Sequence, residues 1–270
     1  LLQQITGSKE LPSLQNLMMQ LRKVCNHPFL IKDAEAGVIN EMKQNNQDLQ
    51  NKTNREIKER AIVESSGKMI LIDKLLPKLK ADGHKVLIFS QMVRILDIIE
   101  EYLIDKDYHY ERIDGSSPKN ERATAITRFN EDKDRFIFLL STKAGGVGIN
   151  LTAADIVILY DSDWNPQNDI QAEARCHRIG QKSIVKVYKL ITRGTYESQM
   201  FQRASKKLGV DHVVLDGGEI GSSQAPMKAD EIEKMLREGA YGIFNDDDTE
   251  LDNFCSADID QILTKRATVV

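Results

Sequence analysis

Three short blocks of this chain, residues 85–90, 135–141 and 155–160, are apolar almost without a break, and a fourth, more polar block follows at 184–192. Runs of this length fit strands buried on both faces, where the alternation of apolar and polar positions is lost. Around them the apolar positions recur at helical spacing, at 70–79, 92–104, 118–130, 167–178 and 195–208, with a further short strand at 110–113. Strands that alternate with helices run parallel, because each crossover helix returns the chain to the same end of the sheet. The pattern predicts an α/β fold: a doubly wound, mostly parallel sheet with helices on both faces. Functional residues are then expected beyond the carboxyl ends of the strands.

The flanks are of a different character. Residues 11–31 carry Leu14, Leu17, Met18, Leu21 and Val24 at helical spacing and stop at His27-Pro28, which predicts a buried helix entering a turn. Residues 33–65 are rich in Asn, Gln, Glu and Lys with few apolar positions, so a mobile or loosely helical surface insertion is expected there. In the tail, Asp230 and Glu233 resemble a capping box, and a second helix is expected after Ser256, with an acidic run at 246–252 between them. The organisation read from the sequence is a helical segment at 1–32, a polar insertion at 33–66, the α/β domain at 67–215 and an acidic, partly helical tail at 216–270.

The formal net charge of −4 conceals a division: residues 216–270 hold 13 acidic and 5 basic side chains, the rest 28 acidic and 32 basic. A mildly basic body is compatible with a local patch for DNA. No apolar run approaches the roughly 18 residues that cross a bilayer. Cys25, Cys176 and Cys255 form no CxxC pair, which argues against a disulfide framework or a zinc site and fits a reducing compartment. The chain opens without Met and reads as an excised segment.

Chemistry concentrates in QAEARCHRIGQ at 171–181. Arg175 and Arg178, three apart on the expected helix, project from nearly one face. Two planar guanidinium forks suit bidentate binding of phosphate oxygens, and an arginine at a γ-phosphate neutralises charge that develops during phosphoryl transfer. The bland alternative is a solvated or salt-bridged helix face. His177, with only Cys176 beside it, has no ligand set, so no metal site is expected.

These residues carry a resemblance. The 171–181 segment resembles motif VI of the Snf2 family of superfamily 2 translocases, STKAGGVGINL at 141–151 resembles its motif V, and KVLIFSQ at 85–91 its motif IV. RKVCNHPFL at 22–30 and DSDWNPQ at 161–167 extend the match over most of 11–215, and the tail at 231–244 and 254–265 is similar to the CHD type (chromodomain-helicase-DNA-binding), particularly its Kismet-like subgroup. The resemblance implies a RecA-like second motor lobe preceded by the end of the inter-lobe helical segment. It implies that Arg175 and Arg178 are arginine fingers and that Gln171, Gly146, Gly148 and Asn150 face the nucleotide. Ser90, Gln91, Thr142, Lys143 and Trp164 are implied DNA contacts, together with Arg112 and Ser116 from the Asp114-Gly-Ser segment.

A simple turn explains that last segment almost as well, and Trp164 is also explained as a core residue. Read alone, Gly146 to Leu151 suggests a dinucleotide fingerprint, but Leu151 stands at the third glycine position and no helix clearly follows. No GxxxxGK[ST] and no DExH box occurs, so ATP with Mg²⁺ is expected to be held mainly by a first ATPase lobe, without which this lobe is inactive. The implied partners are that lobe, DNA, nucleosomes and histones; the implied setting is the nucleus. The acidic tail is expected to fold back on the lobe and regulate it. A strand-separating helicase and a purely DNA-holding module are the competing readings.

Overall fold

The computed structural model describes residues 14–143, 149–176, 178, 180–215 and 248–267. Five strands form one sheet: β1 (Val86–Ser90), β2 (Tyr110–Ile113), β3 (Ile137–Ser141), β4 (Ile156–Leu159) and β5 (Lys186–Lys189). Their order is β2-β3-β1-β4-β5, every neighbouring pair is parallel, and Val86 stands opposite both Ile137 and Ile156. Every residue of β1, β3 and β4 is buried, which is why these blocks read as continuous apolar runs.

Successive residues feed two cores. Val86, Ile88, Ile137, Leu139, Ile156 and Ile158 face one, which is closed by α4 (Gly67–Ala81) and α5 (Val93–Asp105). Leu87, Phe89, Phe138, Leu140, Val157 and Leu159 face the other, closed by α6 (Lys119–Glu131), α7 (Pro166–Glu173) and the approach to β4 through Ile149, Leu151 and Ala154. The doubly wound, RecA-like α/β fold is therefore as expected.

At the amino-terminal side, α1 (Leu14–Asn26) ends in a short 3₁₀ turn, Pro28–Leu30, whose Phe29 and Leu30 enter the first core. His27 fastens this turn: its Nδ1 accepts from the Phe29 N–H (3.1 Å), which leaves Nε2 as the donor to the Ile62 carbonyl (2.9 Å). Burial pushes the imidazole below its ordinary value, so it stays neutral.

The segment at 33–65, expected to be mobile or loosely helical, is helical and anchored by a few buried residues. The segment forms α2 (Ala34–Asn45) and α3 (Asn54–Glu64), the latter opened by a capping box between Thr53 and Glu56. Its apolar residues are few but well spaced: Leu49, Ile57 and Ala61 are 0% exposed, and Ala61 and Ile62 join the core. Polarity averaged over the segment describes its wet face and hides the stripe that anchors it.

Beyond β5, α8 spans Tyr196–Leu215, and the tail supplies α9 (Asp248–Ser256) and α10 (Ile259–Arg266). The expected helix around residue 232 lies outside the described residues. Part of the acidic run, 248–252, is helical within α9 rather than a linker. The tail docks on α4: Lys74 Nζ donates to the carbonyls of Phe254, Cys255 and Ala257 (3.3, 2.7 and 2.5 Å), Lys78 pairs with Asp260 (3.0 Å), and Ile262 is buried.

Candidate nucleic-acid edge and nucleotide-facing turn

The connection after β1 packs on one face of the sheet, whereas those after β3 and β4 pack on the other. A crevice opens where neighbouring connections depart in opposite directions, here at the carboxyl end of β1. Ser90, Gln91 and Thr142 meet there around buried Asp161. The Gln91 N–H donates to Asp161 Oδ1 (2.8 Å), the Ser90 hydroxyl to Oδ2 (3.2 Å), and the Thr142 N–H to the Ser90 carbonyl (3.1 Å). Burial raises the Asp161 carboxyl above its ordinary value, and the Gln91 N–H, Lys68 and Arg22 only partly offset it. Among the described residues, Gln91 Nε2, Thr142 Oγ1 and Ser162 Oγ at this edge are buried without a hydrogen-bond partner. An orphaned buried donor costs about 1–3 kcal/mol, so the edge has donor capacity to spare. Lys143, next in sequence, is exposed.

Trp164 lies at the same edge but is half-buried, edge-on to Tyr196 with ring centroids 5.9 Å apart, in a cluster with Leu17, Met18 and Leu21 of α1. It packs α1 against the edge.

Two DNA candidates do not join this group. Arg112 directs its guanidinium at Asp97 (2.6 Å), Glu100 (2.6 Å) and Asp114 (2.8 Å), so every nitrogen of its fork is engaged by carboxylate. Ser116 gives both its N–H and its hydroxyl to Asp114 Oδ1 (2.8 and 2.6 Å). Burial would raise Asp114, but the Ser116 bonds and Arg112 outweigh it and hold the carboxyl at about 2. This is a turn built around an ionised aspartate; neither side chain is poised for a phosphate.

The arginine pair departs from expectation in two respects. The helix expected over 167–178 stops at Glu173, with Ala174 as its C-cap, so Arg175 and Arg178 lie on the turn that follows rather than on a helical face. They also lie away from the carboxyl edge. α7 carries the chain from the end of β4 back toward the start of parallel β5, and the Leu151 N–H donates to the Arg175 carbonyl (3.3 Å) ahead of β4. This placement goes against the sequence reading, which put the functional residues at the carboxyl edge.

Gln181 secures the turn. Its Nε2 donates to the carbonyls of Ala154 (2.7 Å) and Cys176 (3.3 Å), and Gly180 at φ 106° permits the reversal that brings it there. The arginines remain neighbours: burial, and behind it the positive charge of Arg178, push the Arg175 guanidinium below its ordinary value. Arg178 Nε donates to the Ala174 carbonyl (3.2 Å), and Arg175 has no carboxylate partner among the described residues. A partly buried guanidinium with a second positive charge beside it is stabilised by an anion. Gln171 is exposed one helical turn before Arg175, and exposed Asn150 adjoins Leu151. Gly146 and Gly148 lie outside the described residues. Among the described residues no group of three or more His, Cys, Asp or Glu gathers as a metal site.

A third feature was not anticipated. Between α3 and α5 a cleft of about 320 Å³ is lined by Glu59, Asp97, Glu100, Glu101 and Asp105, with Arg55 and Ile104. Burial raises the Asp105 carboxyl, and neighbouring Glu59 raises it further.

Residues 67–180 match the family described as the helicase conserved C-terminal domain. The chain is 55% identical over 98% of its length to Chromodomain-helicase-DNA-binding protein 9 of Mus musculus and 54% identical over 98% to Chromodomain-helicase-DNA-binding protein 7 of Homo sapiens, covering 9% of each. It resembles the crystal structure of the C-terminal part of the Fun30 ATPase domain with a TM-score of 0.62 and 30% identity, covering 84% of this chain and 80% of that one. The chain belongs to the CHD-type Snf2 family, as a C-terminal lobe. It spans about a tenth of the length of the curated relatives it matches.

In this CHD-type lobe, sequence reading passed over several residues that hold the site together. Asp161 organises the edge, Gln181 fixes the turn, and Lys68 ties α4 to three other elements. Lys68 left a signal: helical spacing places it on the buried side of α4, four residues before Ile72.

Proposed function

We propose that the chain is the second motor lobe of an ATP-dependent chromatin remodeler. It offers Arg175 and Arg178 to a nucleotide held by a first lobe and grips one DNA strand along the carboxyl edge of its sheet. Of ATP and Mg²⁺, the residues present suit the triphosphate: guanidinium forks match phosphate oxygens, and they stabilise charge on the γ-phosphoryl group as water attacks it. Gln171 and Asn150 flank that site. Along the DNA edge, Gln91, Thr142 and Lys143 donate to backbone phosphates, which position a duplex without reading its sequence. The reading is supported above all by the partly buried Arg175 guanidinium with Arg178 beside it on one turn, in a chain of this family; a module that merely holds DNA has no need of them.

The test is to join the chain to a first lobe and measure ATP turnover with and without DNA. Turnover is expected to require both lobes and to rise with DNA; turnover indifferent to DNA removes the reading.

Nucleosomes are the proposed substrate and the nucleus the setting. The tail clasp on α4 is the proposed route by which the acidic tail regulates the lobe.

A further inference from the structure

Behind the DNA edge lies a buried ionic hub that the proposed reaction does not itself use. Lys68 Nζ donates to Glu197 Oε1 (2.5 Å) on α8, to Asn26 Oδ1 (2.8 Å) on α1 and to the Tyr160 carbonyl (2.8 Å) at the carboxyl end of β4. Its three protons thus reach three elements from a fourth, α4. The Asn26 carbonyl accepts from the Ser66 hydroxyl (2.9 Å) and the Tyr160 hydroxyl (3.0 Å), and Glu197 Oε2 accepts from the Thr192 N–H (2.9 Å). Two further bonds tie the same end of α1 to the lobe, from Thr192 Oγ1 to the Cys25 carbonyl (3.0 Å) and from Arg22 Nη2 to the Ser162 carbonyl (3.2 Å). Lys68 and Glu197 are 6% and 3% exposed.

A pair buried this deeply is a poor device for stability, because desolvating two charges consumes most of what their attraction returns; hydrophobic replacements are often as stable. What it supplies is a single arrangement of its partners. Those partners are α8, the carboxyl-terminal end of α1 and the loop from Tyr160 to Trp164, which borders Ser90 and Gln91 through Asp161. Trp164 packs on α1 from the other side of the same junction.

We infer that Lys68 is a positioning residue that locks the orientation of α1 to the DNA edge, so that contact with DNA is communicated through α1. The inference rests on the motor reading and deepens its DNA half. Lys68 touches neither nucleotide nor DNA.

The experiment uses the full-length protein carrying Lys68→Met with Glu197→Gln, which removes both charges and leaves neither stranded, and measures ATPase with and without DNA. The expected result is a basal rate and a KM for ATP close to the parent's, with DNA stimulation reduced about five-fold or more, within the usual span of coupling between sites. Tyr160→Phe, which deletes one hydroxyl while the Asn26 carbonyl keeps its Ser66 donor, is expected to change stimulation in the same direction and less, and it guards against misfolding of the double variant. Stimulation at the parent's level in both variants, or basal and stimulated rates falling in equal proportion, overturns the inference. A parent that shows no DNA stimulation instead overturns the motor reading beneath it.

Discussion

Arg175→Ala or Arg178→Ala, in this lobe joined to its first lobe, is expected to lower DNA-stimulated ATP turnover by about 10³ to 10⁵. A loss of that size corresponds to roughly 4–7 kcal/mol of transition-state stabilisation. It is expected in kcat more than in KM, because the charge that the guanidiniums meet is greatest while the γ-phosphoryl group is in transit. The two side chains are neighbours on one turn, so they act as a unit: the double variant is expected to lose little more than the worse single one. Turnover within a few-fold of the parent in both single variants would leave the pair as a solvated surface feature. Arg112→Ala serves as the contrast. Its fork is engaged by Asp97, Glu100 and Asp114, so its removal is expected to act through folding and not through the chemical step.

The second large effect is on stability and arises where the sequence looks least structured. Ile57→Ala, in α3, is expected to destabilise the fold by about 2–5 kcal/mol, the range for emptying a well-packed aliphatic site. Ile57 is 0% exposed, whereas Arg55, two residues earlier on the same helix, keeps 82% of its side-chain surface in water. Arg55→Ala is accordingly expected to change stability by less than about 1 kcal/mol, the worth of an exposed ion pair. Urea unfolding midpoints with unchanged slope decide the matter. Equal midpoints for the two variants would return the segment to the status of a peripheral excursion.

The strands were legible because burial on both faces leaves a one-dimensional trace: no polar residue interrupts 137–140 or 156–159. The insertion was not, because its anchoring stripe is only a few residues wide. Among the candidate site residues, Ser90, Gln91 and Thr142 came together as their placement at strand ends implies, since the end of a parallel strand is visible in the pattern. The exit of α7 was invisible: residues 174–178 keep helical composition, and the turn that replaces the helix is held by a side-chain bond from Gln181 to Ala154, 27 residues away in sequence. Arg112 misled for a related reason. A basic residue near a strand end reads as a phosphate ligand until Asp97 and Glu100, a helix away, are seen to claim it.

The shortness of α7 has a mechanical consequence. Eight residues rise only about 12 Å, with the Trp164 loop at one end and the arginine turn at the other. A rod of barely two turns, capped by Asn165 at its start and held through Gln181 past its exit, has no length over which to flex. A displacement of the tryptophan loop is therefore expected to reach Arg175 as translation or tilt of the whole rod rather than to be absorbed by bending.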